Sequence, residues 1–574
     1  MDGFNRFMEL ANAVLWHDSV LFIVLGTGLL FTFWSGFCQY RALTHGVHVL
    51  RGYYDDPADP GAINHFQALS AALSATVGLG NIGGVALAIS LGGPGAVFWM
   101  WMVGLVGMAL KLTEVTLSML YRNTADADNP HGGPMWVISK ALARKGPGWA
   151  RFGWAIGAVF CVTLLISTIT SGNMFQAWNV AEITEDYFGV PGIVTGIVLA
   201  ILVAMVIIGG IKRIGAVAGR LVPIMISLYL LAAVYVLIVN YQQIPHMFAL
   251  ILRGAFSPLE ATGAFIGGTA GYAFLFGMKR ALFSNEAGQG SSPIAHSAAK
   301  TREPVREGIV AGLEPFIDTL VVCTLTALVI LSTGIWSRGP AFTLDELPAL
   351  GEAAAGGWQF AASPLPREAV GQWPEGSKFY LVIQGDANPQ AGNRLHQLTG
   401  NLATAANGEP VIIWNPYSGH TPPVPRSAEV YEDMVGATLT ARAFDSVTPG
   451  LGKWLVTLAS WLFAFSTMIS WSYYGEQGMV YLAGERSVMA YKVIYCLLAV
   501  VATSGFIRTD SELDNLTGIG TGVMLFANIP ILLALGGQAM LAYKNYVQRL
   551  KDGQVGAGHE PPSLEDLISG RDVD

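Results

Sequence analysis

Residues 66–94 combine an apolar, helix-forming sequence with a cluster of glycines at its centre. The run reads FQALSAALSATVGLGNIGGVALAISLGGP, and residues 76–84 hold four glycines and one asparagine. It exceeds the roughly 20 residues that cross a bilayer, yet each glycine costs a helix interior about 1 kcal/mol relative to alanine. An opened helix is tolerated at membrane depth only where it is buried in protein or lines a cavity. The run therefore predicts a broken helix whose free carbonyl and N–H groups bind a cation and a carboxylate.

Two other interpretations of this run are available. Gly78, Gly80 and Gly83 match the dinucleotide-binding fingerprint, which requires a preceding strand and an acidic residue about 20 positions later. The flanks are apolar instead, and residues 95–110 contain no acid. Gly80 and Gly84 also form a small-residue pair of the kind that packs membrane helices closely. Context favours the broken helix, and close packing is the alternative.

Composition places the chain in a membrane. It is 52% hydrophobic and 13% charged, whereas soluble proteins average about 25% charged residues. The net charge of −8 provides no basic surface, so we expect contact with lipid and no nucleic-acid partner. The four cysteines lie singly in apolar segments without metal or redox spacing, and no cleavable signal peptide is apparent. We expect no cofactor.

Eleven apolar segments indicate an all-α integral membrane protein with about 11 transmembrane helices. The second to the eleventh form a set of ten, and the first is an addition. We predict spans one to eight in residues 1–334, an insertion at 335–450, spans nine to eleven in 451–545 and a tail at 546–574. The predicted spans are 19–38, 66–92, 95–120, 152–176, 190–210, 217–240, 262–283, 307–334, 452–482, 487–507 and 515–543.

Loop charges orient these spans, because short cytoplasmic loops are enriched in Lys and Arg. The loops after the third, fifth and seventh spans are basic, and so is the start of the tail. Residues 177–189 and 508–514 are dominated by acids. We therefore expect a multi-pass protein of the plasma membrane (the bacterial inner membrane), with the N-terminus outside and the C-terminus in the cytoplasm.

The insertion at 335–450 is polar and lies on the outer side in this topology. Residues 376–386 and 409–417 resemble short strands, and the flanks 353–366 and 418–427 resemble loops. We expect a small β-containing extracytoplasmic domain, with a simple spacer as the alternative.

The seventh span is also interrupted by glycines, namely Gly267, Gly268, Gly271 and Gly277. It follows the first glycine-rich span by five spans. Paired interruptions at matching positions of two halves are typical of inverted-repeat transporters. The pattern predicts a 5+5 repeat of helices 2–11 with two broken helices, although packing alone also explains glycines.

Other polar residues offer candidate ligands. In the ninth span Ser466 and Thr467 provide hydroxyls for a hard cation, and Thr467 shares a helix face with Trp471. Gln176 ends the fourth span and needs a polar partner. The run 283–300 contains Glu286 and His296, which suit either a proton relay or a structured cytoplasmic loop.

Acidic residues inside membrane spans are functional candidates by default. They are Glu114, Glu314, Asp318 and Glu476. Lys111 and Glu114 are three residues apart, so Glu114 has a possible structural role in an ion pair. Glu314 and Asp318 share one face of the eighth span and are candidates for gating or coupling.

Several of these motifs resemble the alanine/glycine:cation symporter family, a branch of the amino acid–polyamine–organocation superfamily. They are TVGLGNIGGV, the run from ALAISLGGP to SMLYR, HGGPMW, GNMFQAW and FSNEAGQGSSPIAHSAA. The resemblance covers about 60–334 and 450–543. The family is similar in fold to the sodium-coupled leucine transporters, whose VGLGN segment recurs at Val77–Asn81. The 335–450 insertion is a departure from the family, and so are the extra glycine and phenylalanine residues of the seventh span.

The resemblance implies a set of site residues. The backbone at Gly78, Leu79 and Gly80 meets the substrate carboxylate. One Na⁺ site consists of the Ser74 and Val77 carbonyls with the Ser466 and Thr467 hydroxyls, and a second includes Thr76 and Asn81. The pocket residues are Gln176, Phe276, Thr467 and Trp471, and the bulk of Trp471 limits substrate size.

The expected function is Na⁺-coupled uptake of alanine, glycine or a similarly small neutral amino acid. One alternative keeps this architecture but couples transport to H⁺ through Glu314, Asp318 or His296. An alternative of another class is a sensor that binds an amino acid through the outer domain and transports nothing. An enzyme is not expected, since the sequence contains neither HExxH nor GxSxG.

Overall fold

A computed structural model describes residues 2–260, 262–267, 269–353, 357–387, 394–405, 408–434, 436–506, 510–556, 559 and 561–569. Gly268 of the predicted seventh span lies outside these residues. So do 354–356 in the predicted loop 353–366, Arg508 in the acidic loop and 570–574 in the predicted tail.

The described chain is mainly helical. The helices before the insertion are α1 (Asp2–Leu15), α2 (Asp18–Trp34), α3 (Cys38–Arg41), α4 (Val47–Leu50), α5 (His65–Thr76), α6 (Val85–Gly92), α7 (Gly95–Tyr121), α8 (Pro134–Ala143), α9 (Pro147–Ile169), α10 (Phe175–Phe188), α11 (Gly192–Ile207), α12 (Gly210–Val239), α13 (Ile244–Phe256), α14 (Ala270–Asn285), α15 (Ser292–His296), α16 (Pro304–Ala311) and α17 (Thr324–Ser332). Those after it are α18 (Ala437–Asp445), α19 (Thr457–Ala483), α20 (Val488–Val501), α21 (Asp510–Lys551) and α22 (Leu564–Ser569).

Within the described residues, eight helical segments are long and apolar enough to cross a membrane. They are Leu10–Trp34, Gly95–Tyr121, Pro147–Phe188, Gly210–Val239, Pro304–Ser332, Gly452–Ala483, Glu485–Gly505 and Thr517–Lys551. A ninth span results if His65–Thr76 and Gly80–Gly92 are taken together. Gly192–Ile207 is a shorter apolar helix. These segments define a mostly helical, multi-pass membrane protein.

The predicted seventh span differs from expectation. Residues 262–267 and 269 are not part of a helix, and α14 continues through Gly271 and Gly277 to Asn285. Gly277 serves packing, since a Cβ there would lie 2.4 Å from the Ala96 carbonyl oxygen. The interruption follows α14 instead, at residues 286–291, before α15 begins. The prediction of a helix break within 262–283 is therefore wrong, because the break lies after α14.

Several helices contain π-helical stretches, which concentrate at functional sites. One follows the first break, one precedes α10 and one lies between α16 and α17. Three further stretches are found near the N-terminus and around α19 and α20. They are Gly80–Gly84, Thr170–Met174, Phe316–Cys323, Ala42–Gly46, Gly452–Val456 and Ala502–Phe506.

The insertion contains an antiparallel six-stranded sheet with the order β1-β8-β5-β6-β7-β4, and a separate β2-β3 pair. The strands are β1 (Phe342–Thr343), β2 (Leu350–Glu352), β3 (Trp358–Phe360), β4 (Ser363–Pro364), β5 (Lys378–Gln384), β6 (Leu395–Thr404), β7 (Pro410–Trp414) and β8 (Val424–Glu432). Alternate residues of β5 enter two cores. Phe379 and Leu381 pack with the rest of the sheet, whereas Tyr380 packs with Ala264 and donates a hydrogen bond of 2.5 Å to its carbonyl. This contact connects the sheet to the segment before α14.

Helix α18 returns from the sheet to the first break. The Thr440 hydroxyl donates to the Ile82 carbonyl at 3.0 Å. A Cβ on Gly83 would lie 3.0 Å from the Ala437 backbone nitrogen. The end of the insertion therefore covers one side of the interrupted helix.

Candidate functional site

The first break lies between α5 and α6, whose axes differ by 52°. Helix α5 ends at Thr76, and Val77 leaves the helical conformation with a ψ of 88°. The Asn81 side-chain oxygen accepts the Gly78 N–H at 2.8 Å. The whole segment 74–84 is buried. The glycine cluster therefore forms a break enclosed by protein, the setting that membrane physics requires.

Oxygen atoms of α19 converge on the end of α5. The Thr467 hydroxyl donates to the Ser74 carbonyl at 3.1 Å, and the Ser466 hydroxyl lies 3.4 Å from the same carbonyl. The Ser74 hydroxyl donates to the Ser466 carbonyl at 2.6 Å. A Cβ on Gly78 would lie 2.6 Å from the Thr467 hydroxyl, so only glycine allows this approach. These hard oxygen donors suit Na⁺.

The second break, residues 286–291, is buried as well. Every residue from 284 to 299 is buried, so the surrounding helices enclose this run. Glu114 of α7 accepts the backbone N–H groups of Gly288 and Gly290 at 2.6 and 2.8 Å. It also accepts the Asn528 amide at 3.2 Å. Glu114 therefore supplies the hydrogen bonds that the interrupted helix lacks.

The two breaks meet at a small cavity. The close approach occurs at Gly80, where a Cβ would lie 3.2 Å from the Phe283 ring and 3.7 Å from the Ser284 Cα. The cavity is lined by Ala75, Thr76, Gly78, Gly80, Ser171, Gln176, Phe283, Glu286, Trp471 and Thr521. Its walls thus come from both breaks, α10, α19 and α21.

Trp471 and Gln176 form two walls of this cavity. Trp471 is 3% exposed, and a Cβ on Gly172 would overlap its side chain at 2.3 Å, so glycine gives the indole its space. The Gln176 side-chain oxygen lies 3.4 Å from the Leu79 N–H, and its amide donates to the Ser171 carbonyl at 3.1 Å. Gln176 therefore joins the first break to the π-helical stretch before α10.

A second polar cluster lies beside the first break. The Asp318 carboxylate accepts the Asn81 amide at 2.6 Å, the Thr319 hydroxyl at 2.7 Å and the Ser284 hydroxyl at 3.0 Å. All four side chains are at most 1% exposed. Asp318 therefore connects both breaks to the π-helical stretch Phe316–Cys323. The sequence marked Asp318 as an intramembrane acid and a candidate for gating or coupling, but did not place it beside Asn81 and Ser284.

Further buried charges surround the second break. His296 bonds to Glu307 and, through Nε2, to Glu314 at 2.6 Å. Lys111 lies 3.2 Å from Glu314, so this lysine pairs with Glu314 and not with Glu114. Elsewhere Glu476 pairs with Lys492 at 2.7 Å. Of the acids in the spans, Glu114 and Asp318 contact the breaks directly. Glu314 contacts α15, the helix that follows the second break.

Some of the predicted site residues lie on the cavity and others beside it. Thr76, Gly78, Gly80, Gln176 and Trp471 line it. Around it lie Ser74, Ser466 and Thr467 in the oxygen cluster and Asn81 beside Asp318. The Val77 and Leu79 side chains are fully buried, and the Leu79 N–H points to Gln176. The Thr76 hydroxyl bonds back to the Ala72 carbonyl at 3.3 Å.

Phe276 is placed elsewhere, next to Gly92 and the Tyr272 ring. Phe283, two helical turns further along α14, provides the aromatic wall instead. Sequence reasoning also missed Thr521, and it named Glu286 only as a possible proton relay. The run FSNEAG could have indicated the second break, because polar residues and a glycine directly follow an apolar helix there.

Two interrupted helices that meet at a buried polar cavity, within a bundle of membrane-length helices, define a secondary transporter. The profile of the sodium:alanine symporter family matches residues 1–355 and 424–559. Sodium/alanine symporter AgcS of Methanococcus maripaludis is 33% identical over 534 residues, covering 93% of this chain and 95% of the relative. The putative sodium/proton-dependent alanine carrier protein YrbD of Bacillus subtilis is 31% identical over 548 residues, covering 95% and 93%. The chain belongs to the sodium:alanine symporter family.

Among solved structures, that of MhsT in complex with L-phenylalanine is similar over 88% of this chain and 95% of its own length. Its sequence identity is 13% and the TM-score is 0.46. The family profile leaves residues 356–423 unmatched, which contain most of the sheet, and it includes α18.

Proposed function

We propose that this protein is a Na⁺-coupled symporter that carries alanine, glycine or a similarly small neutral amino acid into the cell. The observation that carries the proposal is the meeting of two helix breaks at one buried cavity beside the Ser74, Ser466 and Thr467 oxygens. Residues of both breaks line this cavity together with Gln176 and Trp471, so polar backbone groups and a bulky aromatic wall converge on one enclosed place.

The Na⁺ site in this proposal uses oxygen atoms alone. The Ser74 and Val77 carbonyls and the Ser466 and Thr467 hydroxyls would hold the ion between α5 and α19. The chain leaves the helix at Val77, which frees carbonyls there for an ion. Because these groups belong to two helices, bound Na⁺ would hold the first break against α19 and complete the cavity.

A second ion site would lie at Asn81 with Asp318, Ser284 and Thr319. This set supports the expectation for Asn81 and adds a carboxylate to it. Thr76, which was expected in the same site, has its hydroxyl on the α5 backbone and lines the cavity instead. We assign Thr76 to the substrate cavity.

The substrate carboxylate would meet the N–H groups of the first break near Gly78, Leu79 and Gly80. Helix starts carry partial positive charge, which favours an anion there. Gln176 would orient the substrate, and Trp471 and Phe283 would limit its side chain. A larger side chain would have to displace the buried indole, which packs against Gly172.

The transport cycle would follow a 5+5 inverted repeat, formed by the second to the eleventh predicted spans, in a leucine-transporter-like architecture. In this arrangement the N-terminus and the insertion face outward in the plasma membrane, and the C-terminal tail faces the cytoplasm. The basic loops after the third, fifth and seventh predicted spans support this orientation.

The test is uptake of labelled alanine into proteoliposomes that contain the full chain. With a Na⁺ gradient, alanine accumulates above its external concentration; with K⁺ in place of Na⁺, accumulation disappears. Alanine accumulation that is equal in Na⁺ and K⁺ would contradict the proposed coupling.

Coupling to H⁺ is the second candidate, and one observation favours it. His296 lies between the carboxylates of Glu307 and Glu314, a buried arrangement able to hold or release a proton. The same proteoliposomes test it with an imposed pH gradient in K⁺. Accumulation that follows the pH gradient without Na⁺ supports H⁺ coupling, whereas dependence on Na⁺ alone excludes it.

A further inference from the structure

Glu286 occupies a backbone conformation that normally belongs to glycine. It ends α14 with a φ of 56°, and its N–H bonds to the Leu282 carbonyl at 3.0 Å. Among the described residues other than glycine, only Phe37 shares a positive φ. Glycine is the usual residue at such a helix end. A carboxylate kept in this position at a conformational cost suggests that the side chain has a function.

The Glu286 side chain is buried and lines the cavity. It is 2% exposed, and it accepts a short hydrogen bond from the Ser291 hydroxyl. No Lys, Arg or His within the described ranges lies at salt-bridge distance from its carboxylate. A buried carboxylate requires a compensating charge or a full set of hydrogen bonds.

The neighbouring cation is engaged by another carboxylate. Lys111 interacts electrostatically with Glu314, Glu286 and Glu114, but its ammonium group lies next to Glu314, at 3.2 Å. Glu114 differs from Glu286, because two backbone N–H groups and the Asn528 amide satisfy it. Of these three acids Glu286 is the one that lines the cavity, and its carboxylate accepts a hydrogen bond from the Ser291 hydroxyl.

We propose that the Glu286 carboxylate receives the ammonium group of the transported amino acid. This inference rests on the proposed function and specifies its substrate as a zwitterion with a free α-ammonium group. The first break offers N–H groups to the carboxylate end of the substrate, and Glu286, on the second break, offers the opposite charge to its other end. The site therefore rejects carboxylates of the same size that lack the ammonium group.

The test compares alanine with propionate, which has the same carbon skeleton without the ammonium group. Both ligands compete against labelled alanine on the purified full chain in Na⁺. Glu286→Gln keeps the shape of the side chain and removes its charge. We expect it to weaken alanine binding about tenfold or more, since hydrogen bonds to charged groups are the strong ones. Propionate binding should stay the same or improve.

Glu303→Gln is the matched control, because Glu303 pairs with Arg549 at 2.6 and 3.0 Å and does not line the cavity. It should leave both ligands unaffected. Equal weakening of alanine and propionate by Glu286→Gln would assign Glu286 a structural role and overturn the proposal. Unchanged alanine affinity would overturn it too, including the case in which only the Na⁺ or pH dependence changes.

Glu286→Asp covers the case in which Glu286→Gln does not fold. It retains the charge and shortens the side chain, so alanine should bind more weakly but still better than propionate. Loss of that preference in folded Glu286→Asp would contradict the proposal. Failure of the proposed function is a separate result, since the unmodified chain would then bind no alanine in Na⁺.

Discussion

Three oxygen atoms from two helices, one carbonyl and two hydroxyls, lie close together at the end of α5. The Ser74 carbonyl receives the Thr467 hydroxyl at 3.1 Å and lies 3.4 Å from the Ser466 hydroxyl. Hydroxyls on a membrane helix often bond back to their own backbone, as the Ser466 hydroxyl does with the Phe463 carbonyl at 2.9 Å. Thr467 instead reaches across to another helix, which makes it the more informative residue to change.

Thr467→Ala should raise the Na⁺ concentration for half-maximal alanine uptake about tenfold, because the proposed ion site loses one of its oxygen ligands. The maximal rate at saturating Na⁺ should fall less. Uptake against Na⁺ concentration in proteoliposomes measures both. An unchanged Na⁺ dependence in well-folded protein would remove Thr467 from the ion site.

Trp471→Ala should admit larger amino acids, because it removes the indole that closes the cavity over Gly172. Competition of alanine uptake by leucine and phenylalanine measures the change. Truncation of a buried Trp to Ala costs about 3–5 kcal/mol in stability, so a milder variant is needed beside it. Trp471→Phe is this matched control, and it should give an intermediate substrate range because Phe is smaller than Trp and larger than Ala. A substrate range that stays the same in all three proteins would refute the size limit.

The interrupted helices show what sequence can and cannot predict. Four glycines within residues 76–84 of an apolar helix located the first break correctly, because few folds accept that combination. The second break was misplaced, since Gly277 packs against α7 in a continuous helix. The true break uses Gly288 and Gly290, with φ values of +84° and +78°. Its N–H groups donate to Glu114, which lies 174 residues from Gly288 in the sequence. A local sequence pattern cannot predict such a long-range contact.

Gly78→Ala should abolish or strongly reduce uptake, because a Cβ there would lie 2.6 Å from the Thr467 hydroxyl inside the proposed site. Gly84→Ala is the control on the same break. Its Cβ would meet only the Arg280 side chain at 3.8 Å, so the protein should tolerate it. Uptake and thermal stability of both variants measure the difference. Equal activity of the two would contradict a tight contact at Gly78.

The whole molecule consists of a helical body and an added sheet. The sequence located strands in 376–386 and 409–417 from their aromatic and β-branched residues, and β5 and β7 lie there. It gave no warning that α18 leaves the insertion and contacts the first break through Thr440 and Ile82. This contact joins residues 358 positions apart, which no local pattern predicts. The predicted insertion domain 335–450 therefore contains a helix, α18, that packs against the first break.

Replacement of residues 356–423 by a short flexible linker should leave Na⁺-dependent alanine uptake intact, because the family profile omits this segment and retains α18. Removal of 335–450 should abolish uptake, since α18 is lost with its contact to Ile82. Uptake by the two deletion variants measures this. Loss of ligand response in the first variant would favour a sensor that binds through the outer domain.

In the proposed mechanism the Na⁺ site and the substrate site share the first break, so binding at one site must affect binding at the other. The most direct test is equilibrium binding of alanine to the purified protein at several Na⁺ concentrations, and of Na⁺ at several alanine concentrations. Each ligand should tighten the binding of the other by the same factor, because linkage is reciprocal. A dissociation constant for alanine that is identical in Na⁺ and in K⁺ would contradict a site in which Na⁺ completes the cavity.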